Sequence, residues 1–329
     1  MFKALLLTQG EQGTLARIAE LSEEELPEGE VLVAVAYSSL NYKDGLAITG
    51  KGPIVRRWPM VPGIDLVGRV VASASEKFAV GSTVLCTGWG VGEQHWGGMA
   101  ELARLQAEWL LPLPEGLTLQ QSMQLGTAGL TAMLCVMGLQ EAGIEPAAGD
   151  ILVTGASGGV GSVAVALLAQ LGYRVVAMTG RKSNQEYLLG IGASEVLLRD
   201  EFAAQPPRAL DKQRWAGAVD TVGSHYLSRI LAQTQYGGAV MACGLAAGAD
   251  LPASVMPFIL RNIRLQGIDS VMAPLSRRRK AWQSLATLLP AAFYQSACRE
   301  VSLEQVIGEA HAIMAGEVTG RVVVKVQGE

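Results

Sequence analysis

The chain has 329 residues, of which 50% are hydrophobic and 17% charged, with a formal net charge of −4. That length exceeds the usual size of a single core, so two domains are expected. The acidic balance excludes a strong field for nucleic acid and suits a soluble globular protein.

From the N-terminus, short β-rich runs such as Val31 to Ala36 and Leu66 to Ala72 are separated by Gly and Pro turns. This predicts an antiparallel or barrel-like domain. Further on, Ile151-Leu152-Val153 enters Thr154-Gly155-Ala156-Ser157-Gly158-Gly159-Val160-Gly161, and an apolar helical pattern follows from Ser162 to Leu171. Strand, glycine cluster and helix in that order form a dinucleotide-binding turn. The glycines let the backbone approach a pyrophosphate, whose charge meets free N–H groups and the positive end of the helix. Ala156 stands at the first position of the usual G-x-G-x-x-G. A turn that needs glycine only for its dihedrals is the competing reading.

Strand-like pieces then recur at Arg174 to Thr179, Glu195 to Leu198, Ala218 to Val222, Ala239 to Cys243 and Ile263 to Ile268, with helices at Gln185 to Leu189 and Tyr226 to Gln233. Such alternation predicts a doubly wound parallel sheet, an α/β Rossmann domain. Helices are expected at Arg277 to Leu289 and Leu303 to Ala315, then a terminal strand, Arg321 to Val326, which must pair back in the N-terminal domain. The basic run Arg277-Arg278-Arg279-Lys280 is expected to be a solvated helix start. Met1 to Leu7 is too short for a signal-peptide core, and no apolar run is expected to approach the roughly 20 residues that span a bilayer. Cys86, Cys135, Cys243 and Cys298 form no C-x-x-C pair, which points to reduced thiols and a cytoplasmic location without a membrane partner.

The second strand of a fold that binds NAD normally ends in Asp or Glu, which accepts hydrogen bonds from the adenosine ribose. Here Thr179-Gly180-Arg181-Lys182-Ser183-Asn184 follows instead. A guanidinium engages the 2′-phosphate of NADP bidentately, whereas a carboxylate repels it, so NADP(H) is the expected cofactor. Arg199, after the third strand, either approaches the same phosphate or pairs on the surface with Asp200 or Glu201.

Three further segments carry a family likeness: Ser39-Leu40-Asn41-Tyr42-Lys43-Asp44, Met60-Val61-Pro62-Gly63-Ile64-Asp65-Leu66-Val67-Gly68 and Gly126-Thr127-Ala128-Gly129-Leu130-Thr131-Ala132. Together with the glycine turn they resemble the medium-chain dehydrogenase/reductase superfamily over nearly the whole chain. The resemblance implies a GroES-like β-rich barrel domain at 1–125 and 271–329 and an NADP-binding Rossmann domain at 126–270. Zinc-dependent members carry Cys and His where this chain has Asn41 and Ile64, and neither side chain replaces a thiolate or imidazole around Zn²⁺, so no metal is expected. Among zinc-free members the chain is most similar to the acryloyl-CoA reductase and quinone-oxidoreductase-like branch. The segments carrying that likeness are Asn41 to Gly52, Gly88 to Gly98 and Met256 to Asn262.

The branch implies NADPH-dependent reduction of an activated carbon–carbon double bond, most simply acryloyl-CoA to propanoyl-CoA, for which no Lewis acid is needed. Tyr42 is placed by the family beside the nicotinamide, where its phenol either hydrogen-bonds the cofactor or relays a proton, or only packs against the ring. Asn41 either donates its amide to the enolate oxygen or caps a turn, and Thr127 either touches the nicotinamide or caps the helix that follows. Leu245 and Ser270 are carried over as contacts to the nicotinamide end. Trp89, His95 and Trp96 either roof the substrate or stabilise a loop. Lys43, Arg56 and Arg57, with Lys51 weaker, are candidate cations for coenzyme A phosphates. Competing functions are a quinone reductase and a non-catalytic NADPH-binding protein. Domain closure around the nicotinamide and a homodimer are expected from the superfamily.

Overall fold

A computed structural model describes residues 1–11, 13–204 and 208–328. Its first elements are β1 (Phe2–Gly10), β2 (Gly13–Leu21), β3 (Val31–Leu40), α1 (Tyr42–Thr49), β4 (Asp65–Ser73), β5 (Thr83–Thr87), β6 (Leu102–Leu105), β7 (Leu110–Pro112) and α2 (Leu119–Glu141). Next come β8 (Asp150–Val153), α3 (Gly159–Gln170), β9 (Val175–Thr179), α4 (Gln185–Gly190), β10 (Glu195–Leu198), α5 (Arg199–Ala203), β11 (Trp215–Asp220), α6 (Ser224–Gln233), β12 (Thr234–Ala242), α7 (Met256–Arg261) and β13 (Arg264–Gly267). The chain closes with α8 (Leu275–Leu288), α9 (Ala291–Ser296), β14 (Cys298–Ser302), α10 (Val306–Met314) and β15 (Arg321–Lys325). Two compact units result: Met1–Thr127, Val271–Ala286 and Cys298–Glu329 form the first, and Ala128–Ser270 with Thr287–Ala297 the second. Residues 287–297, grouped by sequence with the first unit, therefore lie in the second.

In the first unit, β3 carries β4 along one edge and, on the other, β6 at its start and β15 at its end. That double load rolls a seven-stranded sheet, order β14-β15-β3-β4-β5-β7 with β6 as a branch on β3, in the manner of a barrel. Val31, Val33 and Val35 recur with the period of two that puts them on one face, where they pack on Leu66, Val84, Leu105 and Leu110. A second cluster joins Leu40, Val322 and Val324 to Leu5, Ile48 and Met60. Each such side chain contributes roughly 1.5–3 kcal/mol by leaving water. Strand β15 runs antiparallel to β3 from Val322↔Leu40 to Lys325↔Tyr37, so the end of the chain completes the sheet begun near its start.

The second unit is built on an all-parallel sheet in the order β10-β9-β8-β11-β12-β13. Its order reverses between β8 and β11, the place where a doubly wound sheet opens a crevice at its carboxyl ends. Ile151 to Val153, Val175 to Met178 and Ala239 to Met241 are buried throughout, as expected where both faces of a parallel sheet are covered. Two strands begin earlier than the hydrophobic pattern predicts. Strand β11 starts at Trp215, whose buried indole N–H donates to Gln233 at 3.1 Å, and β12 starts at Thr234.

Two sequence expectations need correction. Arg278 is not solvated: it is 1% exposed and donates to the carbonyls of Ala273, Thr87 and Val271 at 2.8, 2.7 and 2.6 Å. Its guanidinium also stacks 4.6 Å from the centre of the Trp89 ring. Helical phase turns this one member of the basic run inward. Helix α2 does have the length and hydropathy to cross a bilayer, yet 94% of its most apolar window is buried, as befits a core helix. It also breaks at Gly126, where φ is 53° and ψ −152°. Interspersed Gln, Thr and Gly conceal this apolar run from a simple reading of the sequence.

Candidate active site

In the second unit the glycine cluster forms the predicted strand–turn–helix. Gly155 takes φ 55°, open to glycine and costly for other residues, and a Cβ there would overlap the hydroxyl of Thr221. A Cβ on Gly161 would overlap the carbonyl of Gly155, so its absence lets α3 pack directly on the turn. Over Gly158 the only heavy atom near a built Cβ is Gly155 O at 3.2 Å. The helix starts at Gly159 with Gly158 as cap, leaving the N–H groups of Gly159, Val160 and Gly161 without an intrahelical acceptor. This is an anion cradle that fits a pyrophosphate.

At the end of β9, Thr179 is buried and its hydroxyl lies 3.2 Å from that of Ser157, which ties the turn to the neighbouring strand. Arg181 N–H donates to the same Thr179 hydroxyl at 3.3 Å. Arg199 comes to this point from the start of α5, just past β10: its guanidinium carbon is 3.0 Å from where a Gly180 Cβ would stand. Its Nε lies 3.7 Å from Asp200, the surface pairing that the sequence offered for it. Arg199 thus lies against Gly180, and Arg181 follows Gly180 in the chain; guanidinium groups suit the 2′-phosphate of NADP. Leu245 is 64% exposed, whereas Ser270 is buried and accepts from the Thr131 hydroxyl at 2.8 Å.

In the first unit, Tyr42 opens α1 and is 47% exposed, standing directly beside a buried polar network. Asp65 is the hub. Its Oδ2 accepts from Ser39 Oγ at 2.6 Å, Asn41 Nδ2 at 2.8 Å and Thr127 N–H at 2.9 Å, and its Oδ1 accepts from Thr127 Oγ1 at 2.5 Å. Arg321, 2% exposed, donates to Asn41 Oδ1, Ser39 Oγ and Gln124 O at 3.1, 3.0 and 3.0 Å. Asp44 reaches back to the Asn41 N–H at 2.9 Å and accepts from Gly63 and Ile64 N–H at 3.1 Å each. Burial pushes the Asp44 carboxyl up to about 7, against the pull of these donors. A side chain at Gly126 would overlap Asp65, so only glycine lets the chain pass over the carboxylate here.

The amide of Asn41 and the hydroxyl of Thr127 are therefore already engaged with Asp65. Asn41 is also the N-cap residue of α1, while the bonds that both residues make to Asp65 are ones the sequence reading did not foresee. Sequence reasoning missed Asp65, Asp44 and Arg321 as members of the site. The signal was an acid at the start of an apolar strand and a lone arginine opening Val322-Val323-Val324.

Among the candidate cations, Lys43 is paired with Glu93 at 2.7 Å, while Arg56 and Arg57 are exposed. His95 is structural: Nε2 lies 2.6 Å from Arg104 O, its ring meets Trp109 edge-on at 5.0 Å, and burial holds it below the usual histidine range. Trp96 donates to Pro59 O at 2.9 Å. Zinc does not fit the first unit, because Asn41 presents a committed amide and Ile64 an alkyl chain. Among the described residues no group of three or more His, Cys, Asp or Glu is placed to hold a metal ion.

Comparison with known proteins finds relatives that span nearly the whole chain. Residues 27–115 match the alcohol dehydrogenase GroES-like domain, and residues 159–289 match the zinc-binding dehydrogenase family. The chain is 58% identical over 324 residues to the probable acrylyl-CoA reductase AcuI of Escherichia coli, covering 98% of this chain and 99% of that protein. It is 50% identical over 328 residues to the acrylyl-CoA reductase AcuI of Ruegeria pomeroyi, covering 99% of each. The crystal structure of the yhdH oxidoreductase from Salmonella enterica in complex with NADP superposes with a TM-score of 0.97 at 56% identity, covering 99% of this chain and 100% of that one.

Proposed function

The chain belongs to the medium-chain dehydrogenase/reductase family, in the branch of the acrylyl-CoA reductases, and from that premise we propose that it reduces acryloyl-CoA to propanoyl-CoA with NADPH and without a metal. The observation that carries this reading is Arg199 set against Gly180, with Arg181 next in the chain and an anion cradle at the start of α3, in a chain whose relatives are named for this substrate. Gly155 to Gly161 would hold the pyrophosphate, Arg181 and Arg199 the 2′-phosphate, and Leu245 and Ser270 the nicotinamide end.

When bound, NADPH supplies the hydride for the β-carbon of the thioester. The protein would hold the alkene within reach of it, give hydrogen bonds to the thioester oxygen as negative charge builds there, and admit a proton to the α-carbon. Tyr42, exposed beside the buried frame of Asn41, Asp65 and Arg321, is the residue we assign to the proton. Asn41 and Thr127 position it through Asp65. Arg56 and Arg57 are assigned to the phosphates of coenzyme A.

We assign a second copy of this chain to the edge strand β13, because Val255, Ile259 and Leu260, just ahead of it in the chain, are 66%, 73% and 56% exposed. The four free thiols are in keeping with a cytoplasmic enzyme. Incubation with acryloyl-CoA and NADPH in a strong chelator, followed by mass spectrometry of the thioester, tests the function. Propanoyl-CoA should accumulate with one NADPH consumed per thioester; no product, or product only on adding zinc, would refute it.

A further inference from the structure

We propose that Asp220 is a positioning residue for the dinucleotide, holding the glycine turn and the loop that carries Leu245 in one register. The proposal rests on the NADPH reading above and deepens it. Asp220 ends β11 and is completely buried, at the carboxyl edge where β11 lies beside β8 and the strand order reverses. Its Oδ1 accepts from the Thr154 hydroxyl at 2.7 Å and its Oδ2 from the Gly223 N–H at 2.8 Å. Thr154 Oγ1 in turn accepts from the Thr221 N–H at 2.9 Å, and the Thr221 hydroxyl donates to Thr154 O at 2.9 Å. This closed ring of bonds latches the end of β8 to the end of β11.

Each side of the latch carries a segment that meets the cofactor. Thr154 leads directly into Gly155, and the Thr221 hydroxyl fills the space a Cβ on Gly155 would need. On the other side, Ala247 N–H donates to Val222 O at 2.8 Å, and Cys243 N–H donates to Asp220 O at 2.8 Å. Gly223 also forms a bridge with Gly248. The loop from Gly244 to Gly248, with Leu245 on it, is therefore hung from the same short stretch, 220–223.

A carboxylate suits this point because it only accepts, and every partner converging on it donates. An amide would turn an NH₂ toward one of those donors. Burial raises the Asp220 carboxyl above its ordinary range, with Thr154 and Gly223 pulling it down. A group held at that cost in desolvation fixes geometry that softer packing would leave loose.

The test measures NADPH and NADH affinities by calorimetry for wild type, Asp220→Asn, Thr154→Val and Thr154→Ser. Hydrogen exchange is followed in 155–161 and 244–248 of each cofactor-free protein. The proposal expects Asp220→Asn and Thr154→Val to weaken NADPH binding on the order of 10-fold to 100-fold, as a displaced binding geometry does. Exchange should quicken in both segments together, and Thr154→Ser should restore both readouts. The ratio of NADPH to NADH affinity should stay at its wild-type value, since the arginine pair is untouched. If Asp220→Asn does not fold, Thr154→Val, which keeps the carboxylate and cuts the latch, carries the test alone. Wild-type affinity in a folded variant, or faster exchange in one segment only, overturns the proposal. A wild-type protein that fails to bind NADPH at all overturns the cofactor reading together with it.

Discussion

Replacing Arg321 by methionine should destabilise the first unit by about 3–5 kcal/mol, the cost of leaving a buried charge uncompensated. The magnitude follows from the surroundings. Arg321 and Asp65 are 2% and 0% exposed, and Arg321 is the cation facing that carboxylate, 4.0 Å away. Its three donated bonds to Gln124, Asn41 and Ser39 would leave buried acceptors bare. Because the chain folds as two units, global unfolding is a poor reporter. Pulsed alkylation of Cys86 across a urea series reads the first unit alone, for this thiol is fully buried in β5 and burial pushes it up to about 12. Arg321→Met should shift the labelling midpoint to markedly lower urea. The double variant Asp65→Asn with Arg321→Met should recover part of the loss, because the orphaned charge is gone. A single variant that labels like wild type, or a double variant that simply sums two losses, would refute the reasoning.

Other outcomes follow from the same geometry. Arg199→Gln should lower the preference for NADPH over NADH by roughly 10-fold to 100-fold, the worth of one charge-assisted hydrogen bond, as read from kcat/KM for the two cofactors. Tyr42→Phe should reduce kcat by on the order of 10²-fold or more if its phenol serves the proton, with the KM for NADPH little changed. The Asp44 carboxyl keeps its proton to about 7 in the folded chain and loses it near its ordinary value when unfolded. Between those values the unfolded state binds fewer protons, so the contribution of Asp44 to stability is full at the acid end and is lost as pH rises from about 4 to about 7. The loss is on the order of 4 kcal/mol. Hydrogen exchange of β3 peptides against pH, with Asp44→Asn as reference, should show it; a flat difference between the two proteins would contradict it.

What the sequence disclosed and what it hid divide along a physical line. The glycine turn was legible as strand, turn and helix because it lies in consecutive residues, and the place of Arg181 because it follows β9 directly. Arg199 was ambiguous until folding set it against Gly180. The frame around Tyr42 was hidden, since Ser39, Asn41, Asp65, Thr127 and Arg321 come from distant segments and meet only when β15 joins β3. Asp220 stood in an apolar run, and an acid there is a mark of buried function that periodicity alone does not register. Arg278 was misread because its charged neighbours Arg277, Arg279 and Lys280 suggested a solvated face, while one turn of helix places it under Trp89.

The most direct test compares kcat/KM for NADPH oxidation with acryloyl-CoA, crotonyl-CoA, free acrylate and a soluble quinone. The account predicts the highest value for acryloyl-CoA, a lower one for the longer thioester and little turnover of acrylate, which lacks the thioester and the phosphates that Arg56 and Arg57 would hold. Turnover of the quinone alone, or none of any acceptor despite tight NADPH binding, would contradict it.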